Sequence, residues 1–191
     1  MKTKSKEQLF NIPNSISLLR IILTFAFIIM VIGNKNLEAF IIFLIAGATD
    51  LLDGMAARFM KQKTKIGTFL DPAADKLLLV SSYIVLSLPN NQILNSIPLW
   101  LTIPVISRDI VIAISAAILF KFKNYKDFHP SFLGKTSTFI QVFVILFVLL
   151  FNLLSKSPPL LNWIYILALV TTLLSGLHYA YRDILRVNPA S

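Results

Sequence analysis

Four aspartates lie close together in a chain with few acidic residues. The chain has nine acidic residues, and four of these lie between positions 50 and 75: Asp50, Asp53, Asp71 and Asp75. The first two are three residues apart and the last two are four apart, so each pair would share one face of a helix. The flanks of this segment are apolar, and a bare aspartate at bilayer depth costs about 2.5–3.5 kcal/mol. Four converging carboxylates therefore need a compensating positive charge.

Divalent metal ions suit these carboxylates best. Ligation by oxygen alone favours Mg²⁺, Mn²⁺ or Ca²⁺ over Zn²⁺, and the sequence has no cysteine. Two ions shared by four carboxylates would form a two-metal site of the kind used in phosphoryl chemistry. The alternative is that the aspartates are solvated helix-end residues, which suits one aspartate better than four with this spacing. The segment 50–75 is therefore predicted to hold two divalent cations.

Small and basic residues lie between the two acidic pairs. Gly54 and Gly67 suit a close approach of the backbone to a ligand, as at phosphate sites, and Arg58 suits a diphosphate. Helix packing through small residues explains Gly54 and Ala57 equally well. An arginine at a cytoplasmic helix end is also an ordinary topology signal. Both readings of these residues stay open at this point.

Six long apolar stretches position this segment. Hydrophobic residues make up 56% of the 191 residues and charged residues only 14%, whereas a soluble domain carries about 25% charge. Each stretch is near the ~20 residues that span a bilayer as a helix. The stretches are 16–33, 37–57, 70–88, 96–120, 132–154 and 158–181. The sequence predicts an all-α integral membrane protein with six transmembrane helices in one domain, 1–191, with Asp71-Pro72 near the start of the third helix.

The positive charges predict the orientation of these helices. The net charge is +9, and the cations lie in short stretches between apolar runs, which suits anionic lipid headgroups rather than nucleic acid. The even-numbered loops and both termini hold most of them: Lys2, Lys4, Lys6, Arg58, Lys61, Lys63, Lys65, Lys121, Lys123, Lys126, Arg182 and Arg186. Both termini are therefore predicted to be cytoplasmic. Residues 1–12 are predicted to form a juxtamembrane helix rather than a signal peptide.

The complete pattern resembles one enzyme family. The sequence D-x2-D-G-x2-A-R-x8-G-x3-D-x3-D runs from Asp50 to Asp75 and is similar to the signature of the CDP-alcohol phosphatidyltransferases. Ile12-Pro13-Asn14…Arg20 resembles the entry of that family into its first helix. The resemblance implies transfer of a phosphatidyl group from CDP-diacylglycerol to an alcohol, with release of CMP, at the cytoplasmic face of the cell (inner) membrane. It also implies a homodimer.

The resemblance also implies roles for single residues. Asp50, Asp53 and Asp71 would bind two Mg²⁺ or Mn²⁺ ions, and Asp75 would contact a metal and act as general base. The donor nucleotide and diphosphate would be held by Gly54, Ala57, Arg58 and Gly67. The acceptor phosphate would be held by Arg108, Lys135 and Arg182. An internal ion pair between Arg108 and Asp109 is not expected, since adjacent helix residues do not face each other. Surface or packing roles are expected for His129 and His178.

The acceptor itself is less well defined. The family favours glycerol 3-phosphate, which would make the chain a phosphatidylglycerophosphate synthase. Ser107-Arg108-Asp109 and the segment 130–141 are more similar to the cardiolipin synthase branch, whose acceptor is phosphatidylglycerol. An alternative from another class is a transporter whose aspartates coordinate a permeating cation. The ionisable groups cluster at one membrane face, with Glu38 the acidic exception, which argues against a transport path.

Overall fold

Six α-helices make up most of the described residues. The computed structural model describes residues 12–60, 65–89, 93–123 and 132–187, with side chains described for 15–49, 73–89, 93–115 and 132–181. The helices are α1 (Ile12–Ile32), α2 (Asn36–Met60), α3 (Lys65–Ser87), α4 (Leu99–Lys123), α5 (Phe132–Leu153) and α6 (Leu160–Val187). Each predicted apolar stretch corresponds to one helix, which confirms the all-α fold. The predicted juxtamembrane helix falls on residues 1–11, outside the described residues, and on Ile12, where α1 begins.

Two helices end in the same way, with a left-handed residue that is not glycine. Asn34 has a φ of 57° and Ser155 a φ of 51°. After α1, the amide of Lys35 donates to the carbonyl of Met30 at 2.9 Å and the amide of Asn34 to that of Val31 at 3.0 Å. This is the Schellman arrangement, which satisfies the last carbonyls of a helix. Asn34, rather than the preceding Gly33, takes the left-handed conformation.

The third helix begins earlier than the sequence suggested. α3 starts at Lys65, so Asp71 and Pro72 lie in its second turn rather than at its start. A proline disfavours the helical conformation of the residue before it and removes one hydrogen bond, but it leaves the residues further upstream able to be helical. Helices in membranes also tolerate an interior proline when neighbouring groups satisfy the backbone. The prediction of a helix start at Asp71-Pro72 was therefore wrong.

Apolar helices make the chain a multi-pass membrane protein. Among the described residues, three segments are long and apolar enough to cross a bilayer: Ser15–Ile32, Phe132–Leu153 and Leu160–Tyr181. Asn36–Thr49 is a shorter apolar segment. The outer face of α1 exposes large apolar side chains at helical spacing, Ile22, Phe25, Ile29 and Ile32, a surface suited to lipid. The total of six spans stays a prediction.

The helices form two compact units, Met1–Leu86 and Ser87–Ser191. In the first unit α1 packs against α2, with the rings of Phe27 and Phe43 5.6 Å apart and Ala46 fully buried beside them. Small residues such as Ala39 and Ala46 are buried on α2, and small residues allow membrane helices to pack closely. At the other end of this contact, Arg20 of α1 lies within hydrogen-bonding distance of Thr49 on α2.

In the second unit α6 packs against both α4 and α5. The core between α5 and α6 contains Val144, Val148 and Ala168, all fully buried. Two hydrogen bonds join Asn152, near the end of α5, to the backbone of Asn95. The Asn152 Oδ1 accepts from the Asn95 amide at 2.7 Å, and the Asn152 Nδ2 donates to the Asn95 carbonyl at 2.9 Å. These hydrogen bonds satisfy the backbone of the segment that leads into α4.

Candidate active site

The two acidic pairs lie on consecutive helices of the first unit. Asp50 and Asp53 are part of α2, and Asp71 and Asp75 are part of α3. Gly54, Ala57 and Arg58 follow on α2, and Gly67 lies in the first turn of α3. Three of the four predicted ligands, together with all four predicted donor-binding residues, lie outside the residues whose side chains are described. Their convergence therefore stays a prediction.

Asp75 is the one predicted site aspartate whose side chain is described. It forms an ion pair with Arg20 of α1. The Asp75 side chain is 40% exposed, whereas that of Arg20 is 0% exposed. A buried guanidinium therefore holds one side of a carboxylate that can still be reached from outside. This is a suitable position for a group that must contact a substrate.

Arg20 is a site residue that the sequence analysis did not identify. Its Nε donates to the Oγ1 of Thr49 at 3.5 Å, one residue before Asp50, while its Nη1 pairs with Asp75. One side chain of α1 therefore contacts α2 beside the first acidic pair and α3 at the second. The signal was present in the sequence: Arg20 is the one charged residue in the first apolar stretch, 16–33. An ionisable residue within a membrane helix is a functional candidate by default.

A second buried arginine lies in the other unit. Arg108 of α4 is 9% exposed and Asp109 6% exposed. The Arg108 Nη1 donates to the Asp109 Oδ1 at 2.6 Å, and the Nη2 donates to the Ser175 Oγ at 2.7 Å. The prediction that these neighbours would not pair was wrong. Spacing rules describe where side chains leave the helix, and the long arginine side chain can fold back to its neighbour.

The surroundings of Arg108 leave part of its guanidinium unsatisfied. The Nη2 also lies 3.5 Å from the carbonyl oxygen of Gly134 in α5, and the guanidinium carbon lies 5.8 Å from the centre of the Tyr179 ring. A Cβ added at Gly176 would come 3.6 Å from the Arg108 Cγ. Among the described residues, the buried Nε of Arg108 has no hydrogen-bond acceptor. A buried donor without an acceptor is unusual and marks a place where a ligand oxygen could bind.

Of the other two predicted acceptor residues, Lys135 is the one whose side chain is described. Lys135 is exposed in the first turn of α5, next to the Gly134 carbonyl that Arg108 approaches. Arg182 is part of α6, but its side chain lies outside the described ones. His178 is exposed and lies edge-on to Tyr179, with 6.4 Å between ring centres. His129 lies outside the described residues.

Comparison with known proteins identifies the family. A sequence model of the CDP-alcohol phosphatidyltransferases matches residues 10–174. The chain belongs to this family. The match includes the complete aspartate motif, both buried arginines and most of α6. It confirms the resemblance and the prediction that the chain is an enzyme, and it decides against the transporter considered from the aspartates alone.

Relatives of this phosphatidyltransferase cover nearly the whole chain. A protein of Wigglesworthia glossinidia brevipalpis is 33% identical over 92% of this chain and 98% of its own length. A protein of Bacillus subtilis (strain 168) is 32% identical over 90% of this chain and 94% of its own length. Both are named CDP-diacylglycerol--glycerol-3-phosphate 3-phosphatidyltransferase. A Mycobacterium bovis protein named "Putative cardiolipin synthase" is 28% identical over 71% of this chain and 62% of its own length.

The metal requirement follows the family rather than an observed cluster. The family generally depends on divalent cations. Among the residues whose side chains are described, no group of three acidic or histidine side chains could hold a metal ion, and Asp50, Asp53 and Asp71 are not among those residues. The donor set nevertheless fits, because four carboxylates offer the oxygen ligands that Mg²⁺ and Mn²⁺ prefer.

Proposed function

We propose that this phosphatidyltransferase transfers the phosphatidyl group of CDP-diacylglycerol to glycerol 3-phosphate and releases CMP. The observation that carries the proposal is the complete aspartate motif on α2 and α3, in a chain that aligns over nearly its full length with relatives named for this reaction. The product would be phosphatidylglycerophosphate, and the chain would act in phospholipid biosynthesis.

The proposed reaction assigns a proton transfer to Asp75. The acceptor hydroxyl oxygen forms a bond to the phosphorus on the diacylglycerol side of the donor, and the bond from that phosphorus to the CMP oxygen breaks. The hydroxyl proton moves to the Asp75 carboxylate, and CMP leaves with the bonding electrons. Partial exposure of Asp75 supports this role, since a general base must come within about 2.6–3.2 Å of the proton's oxygen. Ion pairing with Arg20 supports an ionised carboxylate that can accept the proton.

The donor and the metals would be held by the rest of the motif. Gly54, Ala57, Arg58 and Gly67 would bind the cytidine diphosphate part of the donor, where a planar guanidinium matches a diphosphate. Asp50, Asp53, Asp71 and Asp75 would hold two divalent cations, Mg²⁺ or Mn²⁺. When bound, such ions stabilise negative charge on the attacking and leaving oxygens.

The proposed setting is the cell membrane, with the motif facing the cytoplasm. Lys and Arg are concentrated at both termini and in the loops after α2 and α4, which supports six spans with cytoplasmic termini. The same cations would contact anionic lipids. We further propose that residues 1–191 act as one catalytic domain and that the enzyme is a homodimer, as the family resemblance implies.

Arg108 and its neighbours are proposed to bind the acceptor phosphate, with Lys135 and Arg182. One observation favours a second candidate acceptor, phosphatidylglycerol. The Asp109 carboxylate lies 2.6 Å from the Arg108 guanidinium, so it offsets much of the arginine's charge. A phosphodiester with one negative charge needs less compensation than the dianion of glycerol 3-phosphate. On this observation the chain would be a cardiolipin synthase, in agreement with Ser107-Arg108-Asp109.

One assay separates these functions. Purified protein is incubated with CDP-diacylglycerol, Mg²⁺ or Mn²⁺ and either acceptor, and CMP release and the lipid product are measured. Glycerol 3-phosphate is expected to give CMP and phosphatidylglycerophosphate in equal amounts. Release of CMP with phosphatidylglycerol alone would establish the second candidate. Absence of CMP with both acceptors and both metals would overturn the proposed reaction.

A further inference from the structure

The arrangement around Arg20 links all three helices of the first unit. Arg20 belongs to α1 and is fully buried. Its guanidinium pairs with Asp75 of α3 and its Nε reaches Thr49 of α2. Thr49 precedes Asp50 directly, so Arg20 contacts α2 beside one acidic pair and α3 within the other.

The direction of the hydrogen bonds shows that this contact is specific. The Thr49 hydroxyl donates its proton to the carbonyl oxygen of Ala46 at 2.7 Å, so its lone pairs face Arg20 as acceptors. The Arg20 carbonyl in turn accepts from the Thr24 hydroxyl at 2.8 Å. The Arg20 guanidinium is therefore held at its Nε and at its Nη1. A planar guanidinium can donate in two fixed directions at once, which an ammonium cannot do in the same geometry.

Stability alone explains this arrangement poorly. Burying an arginine costs several kcal/mol before any pairing, and a buried ion pair often contributes nothing over an apolar replacement. The partner here is also 40% exposed, which weakens the attraction further. The ion pair does fix the orientation of the Asp75 carboxylate. Residues that contact a substrate or metal are commonly oriented in this way by neighbouring side chains that do not contact it themselves.

We infer that Arg20 is a positioning residue for Asp75. It holds the carboxylate in the orientation in which the acceptor hydroxyl can transfer its proton. Through its hydrogen bond to Thr49 it also fixes the position of α2 relative to α3. The inference rests on the proposed function, since it assigns Asp75 the role of base. It adds a residue of α1 to a site otherwise built from α2 and α3.

The test compares three variants of the full-length enzyme in lipid–detergent micelles. Arg20→Met removes the guanidinium but leaves an unbranched apolar side chain of similar length. Arg20→Lys keeps the positive charge but lacks the planar guanidinium that donates in two directions. Thr24→Val is the matched control, because Thr24 is equally buried one turn along α1 and donates only to the Arg20 carbonyl among the contacts described. For each, kcat, the KM for CDP-diacylglycerol and the KM for the acceptor are measured, with SDS-induced unfolding as the measure of folding.

Positioning predicts a loss in kcat rather than in binding. Removal of an outer partner typically costs about 10- to 100-fold in activity, so Arg20→Met should lose ~100-fold and Arg20→Lys ~10-fold in kcat. Both KM values should stay within ~3-fold of wild type, and Thr24→Val should keep its kcat. A folded Arg20→Met with kcat within ~3-fold of wild type would overturn the inference.

Three further outcomes are also decisive. If Arg20→Met does not fold, Arg20→Lys decides: an unchanged unfolding transition with ~10-fold lower kcat supports positioning, and wild-type kcat overturns it. If the wild type itself releases no CMP, the proposed function fails and the inference falls with it. A wild type that is active beside a fully active Arg20→Met overturns the inference alone.

Discussion

The Arg108–Asp109 pair allows a test that separates stability from acceptor binding. In Arg108→Met, the Asp109 carboxylate keeps its buried position, only 6% exposed, but loses the guanidinium 2.6 Å away. Removing one partner of a buried pair typically costs about 3–5 kcal/mol. The hydrogen bond to Ser175 at 2.7 Å is lost as well. We expect the free energy of unfolding to fall by about 3–5 kcal/mol.

A second substitution should restore the stability. Asp109→Leu in the same chain removes the carboxylate that Arg108→Met leaves buried. Replacing both members of a buried pair by apolar residues is often neutral or stabilising. The double variant is therefore expected within about 1 kcal/mol of the wild type.

Acceptor binding should not be restored with it. A hydrogen bond to a charged group contributes about 1.5–3 kcal/mol, which corresponds to a factor of roughly 10 to 100 in affinity. If Arg108 binds the acceptor phosphate, the KM for the acceptor should rise by about this factor in the single and the double variant alike. The KM for CDP-diacylglycerol should change little in both.

The measurements are SDS-induced unfolding and steady-state CMP release at varied acceptor concentration. Ser107→Ala serves as control, because Ser107 is exposed next to Arg108 and donates to the Pro104 carbonyl of its own helix. It should match the wild type in both measurements. A double variant with a wild-type acceptor KM would refute the binding role of Arg108. A single variant as stable as the wild type would refute the reasoning about the buried pair.

Three further predictions concern single side chains. Asp75→Asn should reduce kcat by at least ~100-fold, the usual contribution of a general base. Binding of CDP-diacylglycerol, measured in an equilibrium assay, should stay near wild type. Near-normal turnover would reject Asp75 as the base. Asn152→Leu should lower the free energy of SDS unfolding by about 1–3 kcal/mol, because the buried backbone amide and carbonyl of Asn95 lose their partner. The control is Asn162→Ala, at an exposed position on α6, and an effect no larger than that of the control would contradict the prediction. Gln141→Leu should lower the free energy of unfolding less, by about 0.6 kcal/mol, because the Thr172 Oγ1 that accepts from the Gln141 Nε2 at 3.1 Å also lies 3.4 Å from the Ser137 hydroxyl, a second partner. A loss above that of Asn152→Leu would contradict this.

The helices were predictable because each lies on a long and mostly apolar stretch. α5 begins at the predicted residue and ends one residue early, at Leu153, since polar and turn-forming residues flank an unbroken apolar segment. The start of α3 was missed by five residues, at Lys65 rather than 70. A proline was taken as a helix boundary, yet its restraints act on only two neighbouring backbone positions. Local rules place helix cores well and helix ends poorly.

The site was predictable where it depends on spacing within a helix. The pairs Asp50–Asp53 and Asp71–Asp75 lie on helices as their spacing indicated. Arg20 was missed because its partner Asp75 is 55 residues away, and no local pattern joins them. Most arginines were used to predict topology; Arg108 was assigned a role through the family resemblance, and Arg20 was assigned none. Contacts between distant segments require the folded chain.

Arg20 and Arg108 are both buried but pair with carboxylates of different kinds. Arg20 pairs across helices with a carboxylate that is 40% exposed, so in the proposed mechanism its hydrogen bonds orient a group that contacts the substrate. Arg108 pairs with the adjacent Asp109, which is 6% exposed, so the carboxylate offsets the charge of the guanidinium within α4. The buried Nε of Arg108 has no acceptor among the described residues. A guanidinium in that state recognises a ligand more by hydrogen bonding than by net charge. Because Asp109 offsets much of the charge of Arg108, a dianionic acceptor would need a further cation, for which Lys135 is the described candidate.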